Sequence, residues 1–132
     1  MYMFDELTVT QEQAATMNVE KLAFVGDAVF ELIIREKIVK KYKCRIGKLN
    51  SLKVKNVCCC SQSNFFESIR NFLTENELDI FKRGRNAHIG NVPKKISPMV
   101  YHRATGVEVL FGFWYITGQI DRIRWISSKF DL

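Results

Sequence analysis

Val19-Glu20-Lys21-Leu22-Ala23-Phe24-Val25-Gly26-Asp27-Ala28-Val29-Phe30-Glu31-Leu32-Ile33 is the stretch that decides the fold class. Asn18 stands ready to cap it, and Leu22, Val25, Val29, Leu32 and Ile33 recur at helical spacing, so the sequence predicts one long central helix over 19–42. Its apolar interior holds an Asp. Asp27 has Ala23, Phe24, Phe30 and Glu31 as its neighbours three and four positions away, none of them a cation. Burying an uncompensated carboxylate is costly, so a distant group must account for it.

Working outward, the rest of the chain also reads as helix. Gly47 is expected to separate a short helix over 48–57 from its predecessor, and a further helix follows over 59–72. Thr74 with Glu77 is a capping-box start for 75–87. Both prolines, Pro93 and Pro98, lie in the loop after 88, and Pro98 leads into a strongly apolar helix ending near 117. Gly118 breaks it, and an amphipathic helix is expected over 119–130. No strand alternation of useful length occurs, and the expected class is all-α.

The apolar helix after Pro98 repeats the anomaly. Glu108 has Ala104, Thr105, Phe111 and Gly112 as helical neighbours, again without a cation. Gly26, Ala28, Gly106 and Gly112 are small enough to let the two helices approach closely. Two converging carboxylates suit a hard divalent cation such as Mg²⁺. On the residues alone two readings stay open: a metal site, or separate carboxylates that reach the surface or pair with a remote cation such as Arg103.

Basic residues crowd beside the main loop: Lys82, Arg83, Arg85, Asn86 and His88 before it, Lys94 and Lys95 within it, His102 and Arg103 after it. Arginine suits bidentate phosphate contact and Asn can reach sugar or base edges, so this is the candidate RNA-binding set. The simpler reading of Lys82, Arg83 and Arg85 is that they complement a helix C-terminus. His88 and His102 have no neighbouring carboxylate to orient them for proton transfer, and phosphate or solvent contact is the expectation. Lys40, Lys41 and Lys43 read as a solvated helix end, and Trp114 and Trp125 as core or interface anchors.

Composition sets the bounds. The 132 residues, 47% hydrophobic, suffice for one core, so a single domain over 1–132 is expected. A net charge of +6 agrees with a polyanionic partner. The acidic opening Met1-Tyr2-Met3-Phe4-Asp5-Glu6 does not resemble a signal peptide, and no apolar run approaches the ~18 residues of a membrane span, so a soluble cytoplasmic protein is expected. Cys44, Cys58, Cys59 and Cys60 lack zinc-site spacing and read as small hydrophobes in a reducing compartment.

The segment Glu20–Leu32 resembles the signature helix of the ribonuclease III family, written E-R-L-E-F-L-G-D-A-V-L-E-L. The segment Thr105–Phe113 resembles its second block, D-x-x-E-A-L-x-G-A. With no room for a double-stranded-RNA-binding domain, the chain looks like the short Mini-III branch. The resemblance covers residues 18–130. It implies an all-helical catalytic domain, a homodimer, Mg²⁺-dependent cleavage of double-stranded RNA to 5′-phosphate and 3′-hydroxyl ends, and maturation of the 23S ribosomal RNA precursor. A ribosomal protein that presents this substrate is a further expected partner.

Carried over by position, Asp27 and Glu108 match the metal-binding acids, and Phe24 matches an aromatic that packs into the partner subunit. Two family acids are missing, with Ala23 and Thr105 in their places. Glu20, aligned with the first signature acid, supports the site through water or is a surface residue; Thr105 is the other candidate for a supporting role. The thinned acid cluster keeps two rivals in view: a non-catalytic double-stranded-RNA-binding module of ribosome assembly or RNA processing, and a helical interaction protein whose basic face is incidental.

Overall fold

The computed structural model describes residues 8–132; the acidic opening Met1–Glu6 lies outside the described residues. Seven α-helices and one 3-10 turn occur among them, without a strand: α1 Gln11–Ala15, α2 Val19–Lys41, α3 Ile46–Val57, α4 Cys59–Ile69, the 3-10 turn Arg70–Phe72, α5 Glu75–Asn86, α6 Pro98–Ile116 and α7 Ile120–Ser127. The all-α expectation holds.

Local chemistry explains most boundaries. The Asn18 side chain accepts the Glu20 N–H at 2.8 Å and starts α2, with Glu20 in its first turn and Lys40 and Lys41 in its last, each opposing the helix dipole. Thr74 and Glu77 form the reciprocal capping box of α5. Pro98 opens α6, and Gly118 at φ 75° closes the turn after it. A second capping box, Thr10 with Gln13, starts the short α1, which the apolar periodicity does not reveal.

Two expectations need correction. Gly47 lies inside α3 and does not precede it, because the space beside it is open and the chain breaks earlier, around Tyr42–Arg45. The core row of α2 is Leu22, Gly26, Phe30, Ile34 and Ile38. Leu32, read from the sequence as one of the helix's apolar row, instead points outward and is 65% exposed.

Helix α6 is the hub. It packs against α2, α4 and α5, and every residue from Ala104 to Trp114 except Glu108 is buried. A helix enclosed on several sides has no polar stripe to show, which is why its pattern is apolar throughout. Phe30, Phe65, Phe111 and Phe130 form one aromatic cluster around it, with centroid separations from 5.2 to 6.1 Å. Trp114 is fully buried and donates its indole N–H to Glu77 Oε2 at 2.8 Å. Arg122 of α7 grips the same carboxylate through both oxygens, at 2.6 and 2.8 Å. Glu77 thus caps α5 and ties α5, α6 and α7 together.

Candidate functional site

The crossing of α2 over α6 determines the site. A Cβ added to Gly26 would lie 1.6 Å from the Glu108 carbonyl oxygen, and one added to Gly112 would lie 1.8 Å from that of Leu22. The two backbones touch, and only glycine fits at either position. Of the other small residues expected at this contact, Gly106 instead faces Phe81 of α5 and Ala28 is exposed.

This contact brings the side chains of Asp27 and Glu108 together. Asp27 is exposed, whereas Glu108 is largely withdrawn from solvent. Burial first, then the hydrogen bond and negative charge of Asp27, push the Glu108 carboxyl up to about 8. Below that pH Glu108 keeps its proton. The arrangement behaves as two acids converging on one small space, with no ion pair to either among the described residues. Arg103, the remote partner considered for them, is engaged elsewhere, 2.7 Å from Glu67.

A divalent cation fits this pair, because it would neutralise the repulsion that otherwise helps keep Glu108 protonated. Among the described residues no group of three or more His, Cys, Asp or Glu side chains is placed to hold a metal, so an ion here would have only these two carboxylates as protein donors. Thr105 is buried and its hydroxyl is spent on the Tyr101 carbonyl at 3.2 Å. Glu20 is exposed in the first turn of α2.

The basic set divides into free and engaged groups. Lys82, Lys94 and Lys95 are exposed. Arg83 donates to the Ala15 and Met17 carbonyls at 2.7 and 3.4 Å, fastening α5 to the end of α1. Arg85 donates to the Asn86 side-chain oxygen at 3.1 Å and lies over the Phe81 ring. His88, at φ 53°, and His102 meet edge to face with ring centroids 4.4 Å apart, and the buried Nδ1 of His102 has no hydrogen-bond partner.

Sequence reading missed two groups. Glu67 of α4 and Arg70 of the 3-10 turn that follows it enter the basic set only through Arg103, 36 positions from Glu67, and no local pattern announces that. The apolar cleft between α2 and α7, about 530 Å³ and lined by Val29, Leu32, Ile33, Tyr115, Ile120 and Ile123, likewise forms only in the fold. Phe24, on the same helix α2, is 83% exposed. The four cysteines are unbridged; Cys44, Cys58 and Cys60 are exposed and Cys59 is half-buried. No helix among the described residues is long and apolar enough to cross a membrane.

Comparison with known proteins agrees with this geometry. The ribonuclease III domain matches residues 20–119. The chain is 36% identical to Mini-ribonuclease 3 of Thermoanaerobacter sp. over 88% of its own length and 82% of the relative's. It is 40% identical to a Mini-ribonuclease 3-like protein of Ilyobacter polytropus, over 82% and 84%. A crystal structure of a protein from Fusobacterium nucleatum superposes with a TM-score of 0.80 at 29% identity, covering 91% of this chain and 94% of that one. The domain match spans both carboxylates and the crossing that joins them, and on these grounds the chain belongs to the ribonuclease III family.

Proposed function

We propose that this protein is an endoribonuclease that cuts double-stranded RNA with the help of Mg²⁺, leaving 5′-phosphate and 3′-hydroxyl ends. The observation that carries this reading is the apposition of Asp27 and Glu108, which adds to burial in raising Glu108 to about 8 and leaves the pair in need of a cation. Asp27 and Glu108 would hold the ion. When bound, such a cation acidifies water and stabilises charge building up on the scissile phosphate.

The chain's own residues do the rest. Glu108 would release its proton to solvent as the pair takes up the cation's charge. The exposed Lys82, Lys94 and Lys95, with Arg85, Asn86, His88, His102 and Arg103, hold the duplex through its phosphates and 2′-hydroxyls. Family membership and the Mini-ribonuclease 3 relatives support this substrate class.

The finer reading is that the protein works in the cytoplasm as a homodimer and matures the 23S ribosomal RNA precursor, with a ribosomal protein presenting the stem. A single catalytic domain over 1–132 would then suffice for a double-strand cut, because a two-fold axis places one site on each strand. Phe24, large, apolar and exposed, supports an unmet partner surface on α2. The test is cleavage of a labelled ribosomal precursor stem with Mg²⁺, with Ca²⁺ and with chelator, comparing Asp27→Asn and Glu108→Gln. Loss of cutting in both variants is expected; cutting at the parent rate in both overturns the assignment.

One observation favours a second reading. Only two acids converge, with Ala23 and Thr105 where the longer family members carry two more, as expected of a non-catalytic RNA-binding module. That reading predicts retention of the stem without cleavage under every ion condition.

A further inference from the structure

Phe66 of α4 and Phe81 of α5 lie face to face, with centroids 3.8 Å apart and ring planes 2° from parallel. Their mutual faces are therefore closed, and cations can approach only from outside. Arg70 and Arg103 lie over Phe66, with guanidinium carbons 5.6 and 5.7 Å from its centroid, and Arg85 lies over Phe81 at 6.0 Å. Both rings are buried, so the stack is a rigid post that fixes where these guanidiniums sit. It joins the end of α4 to the middle of α5, with Gly106 of α6 against Phe81. The loop carrying the exposed Lys94 and Lys95 joins the end of α5, where Arg85 sits, to the start of α6.

One carboxylate falls among these cations. Glu67 meets Arg103 at 2.7 Å and Arg70 at 3.6 Å. The Glu67 and Arg70 side chains are about half exposed, at 45% and 54%, and Arg103 at 25%, so the Glu67–Arg70 pair contributes little to stability and the Glu67 carboxylate is open to exchange with solvent ions. Carboxylate and phosphate present the same paired oxygens to a guanidinium fork.

We infer that Arg70 and Arg103 form a binding site for a backbone phosphate of duplex RNA, and that Glu67 occupies the place of that phosphate in the free protein. The inference rests on the double-stranded-RNA reading above and extends the contact surface beyond the carboxylate pair. Arg103 precedes Glu108 by five residues, about 7.5 Å along the α6 axis. It leaves α6 toward α4, whereas Glu108 leaves toward α2, so the phosphate site lies on the other flank of the same helix. Binding exchanges one anion for another: Glu67 is released to water as the phosphate is taken up.

Duplex RNA affinity measured by fluorescence anisotropy, in chelator so that nothing is cut, tests this over a range of salt. Glu67→Gln should bind about three- to tenfold tighter than the parent, because the internal competitor is gone. Glu75→Gln removes the same charge from the start of α5 and should change affinity much less. Arg103→Gln should bind more weakly with a salt slope lower by about one, Arg103→Lys should recover only part of the loss, and adding Glu67→Gln to Arg103→Gln should bring no gain. The inference is overturned if Glu67→Gln gives no gain, if Glu75→Gln gives an equal one, or if the gain survives without Arg103. A parent that shows no salt-sensitive duplex binding at all overturns the RNA reading itself, which is a different result.

Discussion

Gly26 and Glu108 are in backbone contact, and this contact determines where the Asp27 carboxylate sits. Asp27 follows Gly26 directly on α2, and the Glu108 carbonyl fills the space in which a Cβ at position 26 would stand, 1.6 Å away. The acid pair is therefore held by main chain, which has few ways to relax.

Gly26→Ala should therefore be among the most damaging single-methyl additions in the chain. Overpacking usually costs about 1–3 kcal/mol, and here the obstacle is a carbonyl oxygen with no rotamer to change, so about 3 kcal/mol or more is expected. Gly112→Ala should behave alike, against the Leu22 carbonyl. Gly47→Ala is the control: open space surrounds it within α3, so a gain of about 0.4–1 kcal/mol is expected. Urea unfolding of the three variants checks the ranking, and a Gly26→Ala protein as stable as the parent would contradict the contact.

The raised Glu108 carboxyl predicts a pH dependence with a definite sign. Glu108 titrates near 8 in the folded protein, well above an ordinary glutamate, so between about 4.5 and 8 the folded state binds more protons than the unfolded state. Its contribution to stability therefore falls as pH rises through that window. Metal-free Glu108→Gln, which never ionises there, should gain on the parent as pH is raised, and the gap should level off above about 8. Divalent-ion affinity of the parent, followed by calorimetry, should rise over the same range as the competing proton leaves. A parent and variant with parallel stability profiles would contradict the pairing.

At Glu77 the sign reverses. Burial opposes ionisation, but the Arg122 hydrogen bonds, the Thr74 N–H and the Trp114 indole together outweigh it and hold the carboxyl below its usual range. This stability is fully present above the unfolded glutamate value and is lost as pH falls through the lower folded one. Arg122→Ala leaves a nearly buried carboxylate facing only Trp114 and its own cap, and a cost of about 2–4 kcal/mol is expected. The Trp114 indole resonance in an NMR spectrum should move in the same variant. An unmoved resonance with parent stability would remove Glu77 from its role as the joint of α5, α6 and α7.

Legibility from sequence followed the range of the interactions. Asn18, the Thr74–Glu77 box and Pro98 act within one turn, so the helices they start were readable along with their boundaries. Asp27 and Glu108 stood out because each lacked a local partner, and that absence correctly pointed to one another across the α2–α6 crossing. Interactions with distant partners were hidden. The sequence offers a cationic C-terminal turn at Arg83, but only the fold shows it gripping the Ala15 and Met17 carbonyls. Leu32 obeys the helical period and still faces solvent, because periodicity identifies an apolar row without saying what covers it.

That uncovered row leads to the proposed dimer. Phe24 and Leu32 stand two turns apart on α2, 83% and 65% exposed, and the apolar cleft formed with α7 opens beside Leu32. A second copy of the chain would cover such a surface by isologous packing, in which each α2 meets its symmetry mate. Replacing Phe24 by Glu places a charge where an aromatic would be desolvated, so the variant should sediment as a monomer at concentrations where the parent is a dimer. Phe24→Leu, smaller but apolar, should weaken association without abolishing it. Helix content should be unchanged in both, since Phe24 contributes little to the core of its own chain. If Phe24→Glu associates as tightly as the parent, the dimer is built on another face and the two catalytic centres are not related through α2.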